Sequence, residues 1–195
     1  ANIAEHGVWF EPSFPKTIFY PQQVETAARH RFLFYARPNN IRNLFYRGLE
    51  AIKQAVSAGI LSPAEWELCF VGKDIPRIRL APHVEPQRHE NLSWQDYAAL
   101  VRTVDLGLCL MYTPHPSYPP LDLAASGAVV VTNRFGANKQ SLEQYSKNIL
   151  CAEPSVEGLV QGIAQGTELA RDRSRRQQNY AQNRMLRDWR VSFSS

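Results

Sequence analysis

From position 31 to 169, short unbroken apolar runs alternate with stretches whose apolar residues recur every three or four positions. The run at 105–111 (Asp-Leu-Gly-Leu-Cys-Leu-Met) is apolar at nearly every place, as suits a strand buried on both faces. Ile41, Leu44, Phe45, Leu49, Ile52 and Val56 recur instead at helical spacing up to Gly59. By the same signals, strands are expected at 31–35, 67–71, 77–81, 105–111, 128–132 and 148–151. Further helices are expected after Ser93, at 121–126 with Gly127 as the stop, as a turn at 141–145, and after Ser155. Ser93, with Asp96 three residues on, forms a short capping box. Strands alternating with helices join through right-handed crossovers. The fold class is therefore α/β, a Rossmann-like parallel sheet with helices on both faces.

The two ends depart from this pattern. Pro12, Pro15 and Pro21 stand among aromatic residues in 1–22, which reads as an extended connector whose large side chains pack on this domain or on a neighbour. The stretch 173–190 is polar and expected to be helical, with Tyr180, Met185, Leu186 and Trp189 as a sparse apolar side. Three units follow: a linker at 1–30, a ligand-binding domain at 31–170, and a C-terminal helix and tail at 171–195. With 195 residues, 44% hydrophobic and 21% charged, the chain is long enough for one packed α/β domain. A net charge of +4 suits an anionic ligand, but basic residues cluster only at 171–176, which argues against a nucleic-acid partner. Cys69, Cys109 and Cys151 lie at neither metal nor redox spacing and read as reduced packing residues in a reducing compartment. No apolar run is long enough to span a bilayer, and no signal sequence is visible. The expected place is the cytoplasm, with at most peripheral association at the inner face of a membrane.

Ligands of open parallel sheets sit beyond the carboxyl ends of the strands, so the loops there hold the candidates. Arg37 and Arg42 stand where the first strand turns into the first helix. Guanidinium groups and the free amides of a helix start both take phosphate oxygens. Two solvated surface charges are the alternative. The loop 112–120 (Tyr-Thr-Pro-His-Pro-Ser-Tyr-Pro-Pro) carries four prolines that hold His115, Ser117 and Tyr118 on a stiff frame. Pro120 then opens a short helix, which would leave the Leu121 and Asp122 amides free for an anion. The Asp122 carboxylate, kept ionised by the dipole of a helix start, would accept from a vicinal diol such as a ribose. Otherwise the prolines close a loop and Asp122 only favours a helix start. Gly72 and Lys73 end the second strand; Gly72 permits close backbone approach, and Lys73 would reach a phosphate or a base edge. An ordinary strand end is an equal reading. His30, His83 and His89 have no partner at ligand spacing, so no metal site is expected. A Walker loop, a dinucleotide glycine fingerprint and a serine-hydrolase elbow are absent from the sequence.

Over 31–166 this succession resembles the C-terminal domain of retaining glycosyltransferases of the B fold. In that family the first strand is followed by Arg and, five residues later, by Lys, both on the donor diphosphate. Arg37 and Arg42 take those places, with Arg standing for Lys. The family segment Pro-x-Glu-Ala-x-Ala-x-Gly-x-Pro-Val is matched by Pro120-Leu-Asp-Leu-Ala-Ala-Ser-Gly-Ala-Val-Val130, with Asp122 in place of the ribose-binding glutamate. The family's first glutamate, eight positions earlier, falls on Pro114, so half of its carboxylate pair is missing. The resemblance implies the Leu121 amide on the diphosphate, and Gly72, Lys73, His115, Ser117 and Tyr118 around the base and sugar. It leaves the catalytic residues unassigned. The opening Phe34-Tyr-Ala-Arg-Pro and the loop His115-Pro-Ser-Tyr-Pro-Pro are similar to rhamnosyltransferases that build surface glycans from dTDP-L-rhamnose. A donor-binding half is thereby implied, taking a dTDP- or UDP-sugar without metal or other cofactor. Its partners would be an N-terminal acceptor-binding domain, to which 1–30 is the linker, and a glycan acceptor.

Other readings remain open. An epimerase or phosphorylase shares the architecture, but an epimerase would bring acid and base carboxylates into the pocket, where the loops offer few besides Asp74, Glu85 and Asp122. Outside the enzymes, a non-catalytic nucleotide-sugar-binding module is the alternative. A receiver-like regulator would need clustered acids where Arg37 stands.

Overall fold

The computed structural model describes residues 11–22, 28–113, 117–135 and 142–193. Six strands form one sheet: β1 (His30–Ala36), β2 (Trp66–Gly72), β3 (Gln87–Glu90), β4 (Leu106–Leu108), β5 (Val129–Asn133) and β6 (Ile149–Ala152). They pair in parallel throughout, in the order β3-β2-β1-β4-β5-β6. The chain builds outward from β1 in one direction, then restarts beside it with β4. The carboxyl ends of β1 and β4 are therefore the switch point where such sheets open a crevice.

Residues alternate across each strand and feed two separate layers. Phe32, Phe34 and Ala36 join Leu68, Phe70, Leu108 and Val131 on one face, covered by α1 (Phe45–Ser57) and α4 (Val156–Arg171) through Ile52, Ala55, Leu159 and Ile163. Leu33, Val71, Cys109 and Val130 belong to the other face, covered by α2 (Trp94–Val101) and α3 (Tyr118–Ala125) through Val101, Leu123 and Ala124. Ser93 caps α2, its Oγ accepting from the Asp96 amide at 3.1 Å, and Ser155 caps α4 in the same way. Gly127 follows α3 with φ 82, the left-handed conformation that stops a helix there. The three cysteines are buried, Cys69 and Cys109 as free thiols. Among the described residues no helix is long and apolar enough to cross a membrane.

Two expectations are corrected. The third strand is not 77–81 but Gln87–Glu90. Pro76 and Pro82 bound the earlier stretch, which folds back on itself through the Leu80 amide to the Val84 carbonyl. The true β3 is a polar edge strand, so it lacks the apolar run that marks its inner neighbours. The tail is helical only in α5 (Arg173–Ala181) and α6 (Trp189–Ser192). Between them the chain runs beside 13–14, with the Phe14 amide on the Leu186 carbonyl at 2.8 Å and a bridge from Ser13 to Leu186. Phe14 and Phe19 are consequently buried with α2 and α3 in this domain, not held out for a neighbour. Arg187 locks the arrangement by donating to the carbonyls of Phe19 and Ala125.

Candidate functional site

At the switch point the chain leaving β1 does not enter α1 directly. It first makes one 3-10 turn, Ile41–Asn43, and is then re-aimed by Leu44. Leu44 has φ 47, a left-handed conformation that costs a leucine about 1–2 kcal/mol and breaks the single helix expected from Ile41. No side chain caps the start of α1. The turn is tied to the chain leaving β4: the Tyr112 amide donates to the Arg42 carbonyl at 2.5 Å, and buried Asn43 donates to the Leu110 carbonyl at 3.2 Å. From the other side Asn133, at the end of β5, accepts from the Met111 amide at 2.8 Å and donates to its carbonyl at 3.1 Å. The segment past β4 is therefore held on both flanks by asparagines.

Arg37 and Arg42 both lie in the β1–α1 segment. Arg37 is half-buried and donates to the Tyr35 hydroxyl at 3.2 Å, while Arg42 is exposed and folds back on Asn40 Oδ1 at 3.4 Å. Neither meets a carboxylate among the described residues, whereas Arg31, Arg171, Arg176 and Arg190 do. An arginine beside an uncapped helix start with its charge uncompensated is suited to an incoming anion.

The next strand end adds less. A Cβ on Gly72 would stand 1.8 Å from the Ala36 carbonyl oxygen, so the close approach this glycine permits is that of β1 to β2. Lys73 is exposed beside it, and Asn39 Nδ2 donates to Asp74 Oδ2 at 3.2 Å, joining the loops after β1 and β2.

The α3 segment begins earlier than expected. Ser117, buried, is its N-cap and Tyr118, 47% exposed, its first residue. Pro119 and Pro120 follow with no N–H, which leaves the Ser117 and Tyr118 amides at the helix mouth. Leu121, expected to open the helix, is its fourth residue, a turn deeper, with a buried side chain. His115 and Pro114 lie outside the described residues.

Asp122 is correspondingly the fifth residue of α3 and not at its start. Its side chain is buried, and Oδ2 accepts from the Tyr97 hydroxyl at 3.1 Å. Burial pushes the carboxyl up to about 7, against the opposing pull of the Tyr97 bond. Desolvation by burial, not the dipole of a helix start, therefore sets the charge of Asp122.

Tyr35, Tyr97, Asn43 and Asn133 carry the geometry of the site, and sequence reasoning missed all four as site residues. The available signal was a polar group set into or just beyond an apolar run, where a buried donor or acceptor needs a partner. Among the described residues no cluster of three or more His, Cys, Asp and Glu could hold a metal ion.

A cavity of about 410 Å³ opens at the opposite end of the sheet, lined by His30, Arg31, Glu67, Asp105 and Arg176 among others. Its carboxylates are already taken, Glu67 by Arg31 at 2.7 Å and Asp105 by Arg176 at 2.6 Å. It lies at the amino ends of the strands, away from the switch point. We read it as a structural charge network.

Comparison with known proteins agrees with this architecture. The WsaF C-terminal domain family matches residues 30–164. The O-antigen biosynthesis protein RfbC of Myxococcus xanthus is 33% identical over 192 residues, which cover 94% of this chain and 14% of that protein. The chain thus spans about one seventh of that relative's length. Among solved structures, the C-terminal domain of the glycosyl transferase group 1 family protein LpcC from Francisella tularensis superposes with a TM-score of 0.61 at 16% identity, covering 88% of this chain and 94% of that one. Anabaena Alr3699/HepE, solved with UDP and glucose, gives 0.59 at 13% identity over 89% of this chain and 50% of its own. At such identities the structural matches establish the fold alone.

Proposed function

This chain belongs to the WsaF C-terminal domain family, and on that premise we propose that it is the donor-binding half of a glycosyltransferase of surface-polysaccharide synthesis. The observation that carries the reading is at the switch point. Arg37 and Arg42, which meet no carboxylate among the described residues, stand in the segment between β1 and the uncapped start of α1, while Asp122 lies on α3. Two guanidinium groups and free helix amides neutralise a diphosphate, so the donor binds without a metal ion. Asp122, when ionised, accepts from the ribose hydroxyls. Tyr118 and Ser117 at the mouth of α3, together with Gly72 and Lys73 at the end of β2, are assigned to the base and sugar, and His115 joins them on the sequence alone. The sugar is L-rhamnose, carried by dTDP; its support is the likeness of the segments around Arg37 and His115 to rhamnosyltransferases. UDP and glucose in the Anabaena structure are compatible with a nucleotide and sugar in this fold.

The acceptor would bind to a separate N-terminal domain, with reaction in the cleft between the two, where closure excludes water. The test is a thermal-shift panel of dTDP-rhamnose, UDP-glucose and the free nucleotides on this chain, followed by transfer assays beside the full-length protein. Selective stabilisation by dTDP-rhamnose and turnover only by the full-length protein are expected. Sustained turnover by the chain alone would demand an acceptor site within these residues and refute the half-enzyme reading.

A further inference from the structure

Below the crevice, on the face of the sheet covered by α2 and α3, two tyrosines touch the two residues on which the donor reading depends. Tyr35 on β1 accepts from Arg37 at 3.2 Å, and Tyr97 on α2 donates to Asp122 Oδ2 at 3.1 Å. Neither contact is needed for packing, since phenylalanine at either position would fill the same volume. We propose that Tyr97 and Tyr35 are positioning residues of the donor site: Tyr97 holds one oxygen of the Asp122 carboxylate so that the other meets the ribose, and Tyr35 aims the Arg37 guanidinium at the diphosphate. The proposal rests on the donor-binding reading and adds to it how its two ligands are fixed.

A carboxylate has two oxygens and four acceptor sites, and burial of an unpaired one is costly. Among the described residues Asp122 has one donor, Tyr97, on Oδ2. Oδ1 is thus the acceptor left for a diol, whose two hydroxyls supply the donors that the protein withholds. Tyr97 itself is set on α2, whose first turn is fixed by the reciprocal bonds of Ser93 and Asp96. Its hydroxyl is therefore carried by a capped helix, and the carboxylate it holds is carried by another element. Registry between α2 and α3 becomes registry of the ribose site.

The groups around Asp122 divide cleanly by charge. Tyr97 faces it from α2 and Cys109 from the chain past β4, with Tyr35 of β1 next to Tyr97. Burial raises both the Tyr97 hydroxyl and the Cys109 thiol well above their usual ranges, so both stay neutral near pH 7. Asp122 is then the member of this cluster that changes charge near neutrality, and the Tyr97 bond favours its ionised form. Loss of that bond must move the titration of Asp122 upward, an effect that a purely space-filling tyrosine would not produce.

The test is Tyr97→Phe and Tyr35→Phe in this chain, with two readouts. Carbon-detected NMR follows the Asp122 carboxyl across pH 5 to 9 without ligand, and calorimetry follows dTDP affinity over the same range. The wild type should titrate at about 7. In Tyr97→Phe the midpoint should rise by about one pH unit, and dTDP affinity should fall about fivefold at pH 7, the gap narrowing by pH 9. Tyr35→Phe should weaken dTDP equally at every pH with the Asp122 midpoint in place. An unmoved midpoint in Tyr97→Phe, or a loss of affinity independent of pH, would overturn the positioning role while leaving donor binding intact. A wild type that binds no nucleotide at any pH would overturn the donor reading and this proposal with it. A shifted midpoint with undiminished affinity would show that the bond sets the charge of Asp122 but does not aim it.

Discussion

Replacing Asp122 by asparagine should make the protein more stable at high pH and a poorer nucleotide binder at the same time. The carboxyl is buried and raised from 3.8 to about 7. In the unfolded chain it would ionise near 3.8, so between these two values the folded state holds a proton that the unfolded state has released. Stability is then fullest below pH 4 and falls as pH rises to about 7, by about 4 kcal/mol in the order of magnitude that this difference implies. Asparagine mimics the neutral acid and removes the slope. Its buried amide NH2 costs about 1–3 kcal/mol if unpaired, at every pH, and so shifts the curve without tilting it. Urea unfolding of wild type and Asp122→Asn at half-unit steps from pH 4.5 to 8.5 should give two curves that cross, with the variant less stable in acid and more stable above neutrality. Parallel curves would refute the reasoning, because they would mean that Asp122 ionises in the folded protein as it does in the unfolded one. The accompanying loss of dTDP affinity in the variant would identify the buried carboxylate as a feature kept at the expense of stability.

Four further outcomes follow from the same geometry. Arg37→Ala should weaken diphosphate binding about tenfold or more, the loss of one charge-assisted bond, while Arg175→Ala on α5 should leave it unchanged by calorimetry. Equal effects would show that only diffuse positive charge is at work. Gly72→Ala should destabilise by about 1–3 kcal/mol in chemical denaturation, since the new Cβ would meet the Ala36 carbonyl at 1.8 Å and the two strands must part. Asn133→Ala should cost about 1–3 kcal/mol and speed amide exchange at Met111, which loses both of its bonds to that side chain; unchanged exchange would mean that the segment past β4 is held by something else. Asn43→Ala should loosen the same segment from its other flank, and the two losses should add within a few tenths of a kcal/mol only if the flanks act independently.

The inner strands were legible because burial on both faces forces a continuous apolar run: 31–35 and 67–71 fall within β1 and β2, 128–132 overlaps β5 at Val129–Asn133, and the run 105–111 contains the shorter β4, Leu106–Leu108. The edge strand was not, because Gln87–Glu90 is polar and is held by the parallel ladder to β2, a long-range pairing that local pattern does not encode. Helix starts were found where a side chain caps them, at Ser93 and Ser155. They were missed where none does. Leu44 breaks the first helix through a backbone conformation that no leucine announces, and α3 runs back through two prolines to Tyr118. For the candidate site, the sequence singled out Arg37, Arg42 and Asp122 by chemistry and order. It could not show that Asp122 is buried, that a tyrosine from another helix bonds it, or that paired asparagines clamp the segment past β4. Those facts arise from the meeting of elements distant in sequence.

A crevice at the carboxyl ends of β1 and β4 that takes a nucleoside diphosphate through arginines and helix amides should do so without a metal. The most direct measurement is titration calorimetry of this chain with dTDP and UDP at pH 8 in EDTA, beside Arg37→Ala. Saturable one-to-one binding in EDTA that falls about tenfold or more in the variant is expected. Binding that appears only when magnesium or manganese is restored, or that is indifferent to Arg37, would contradict it.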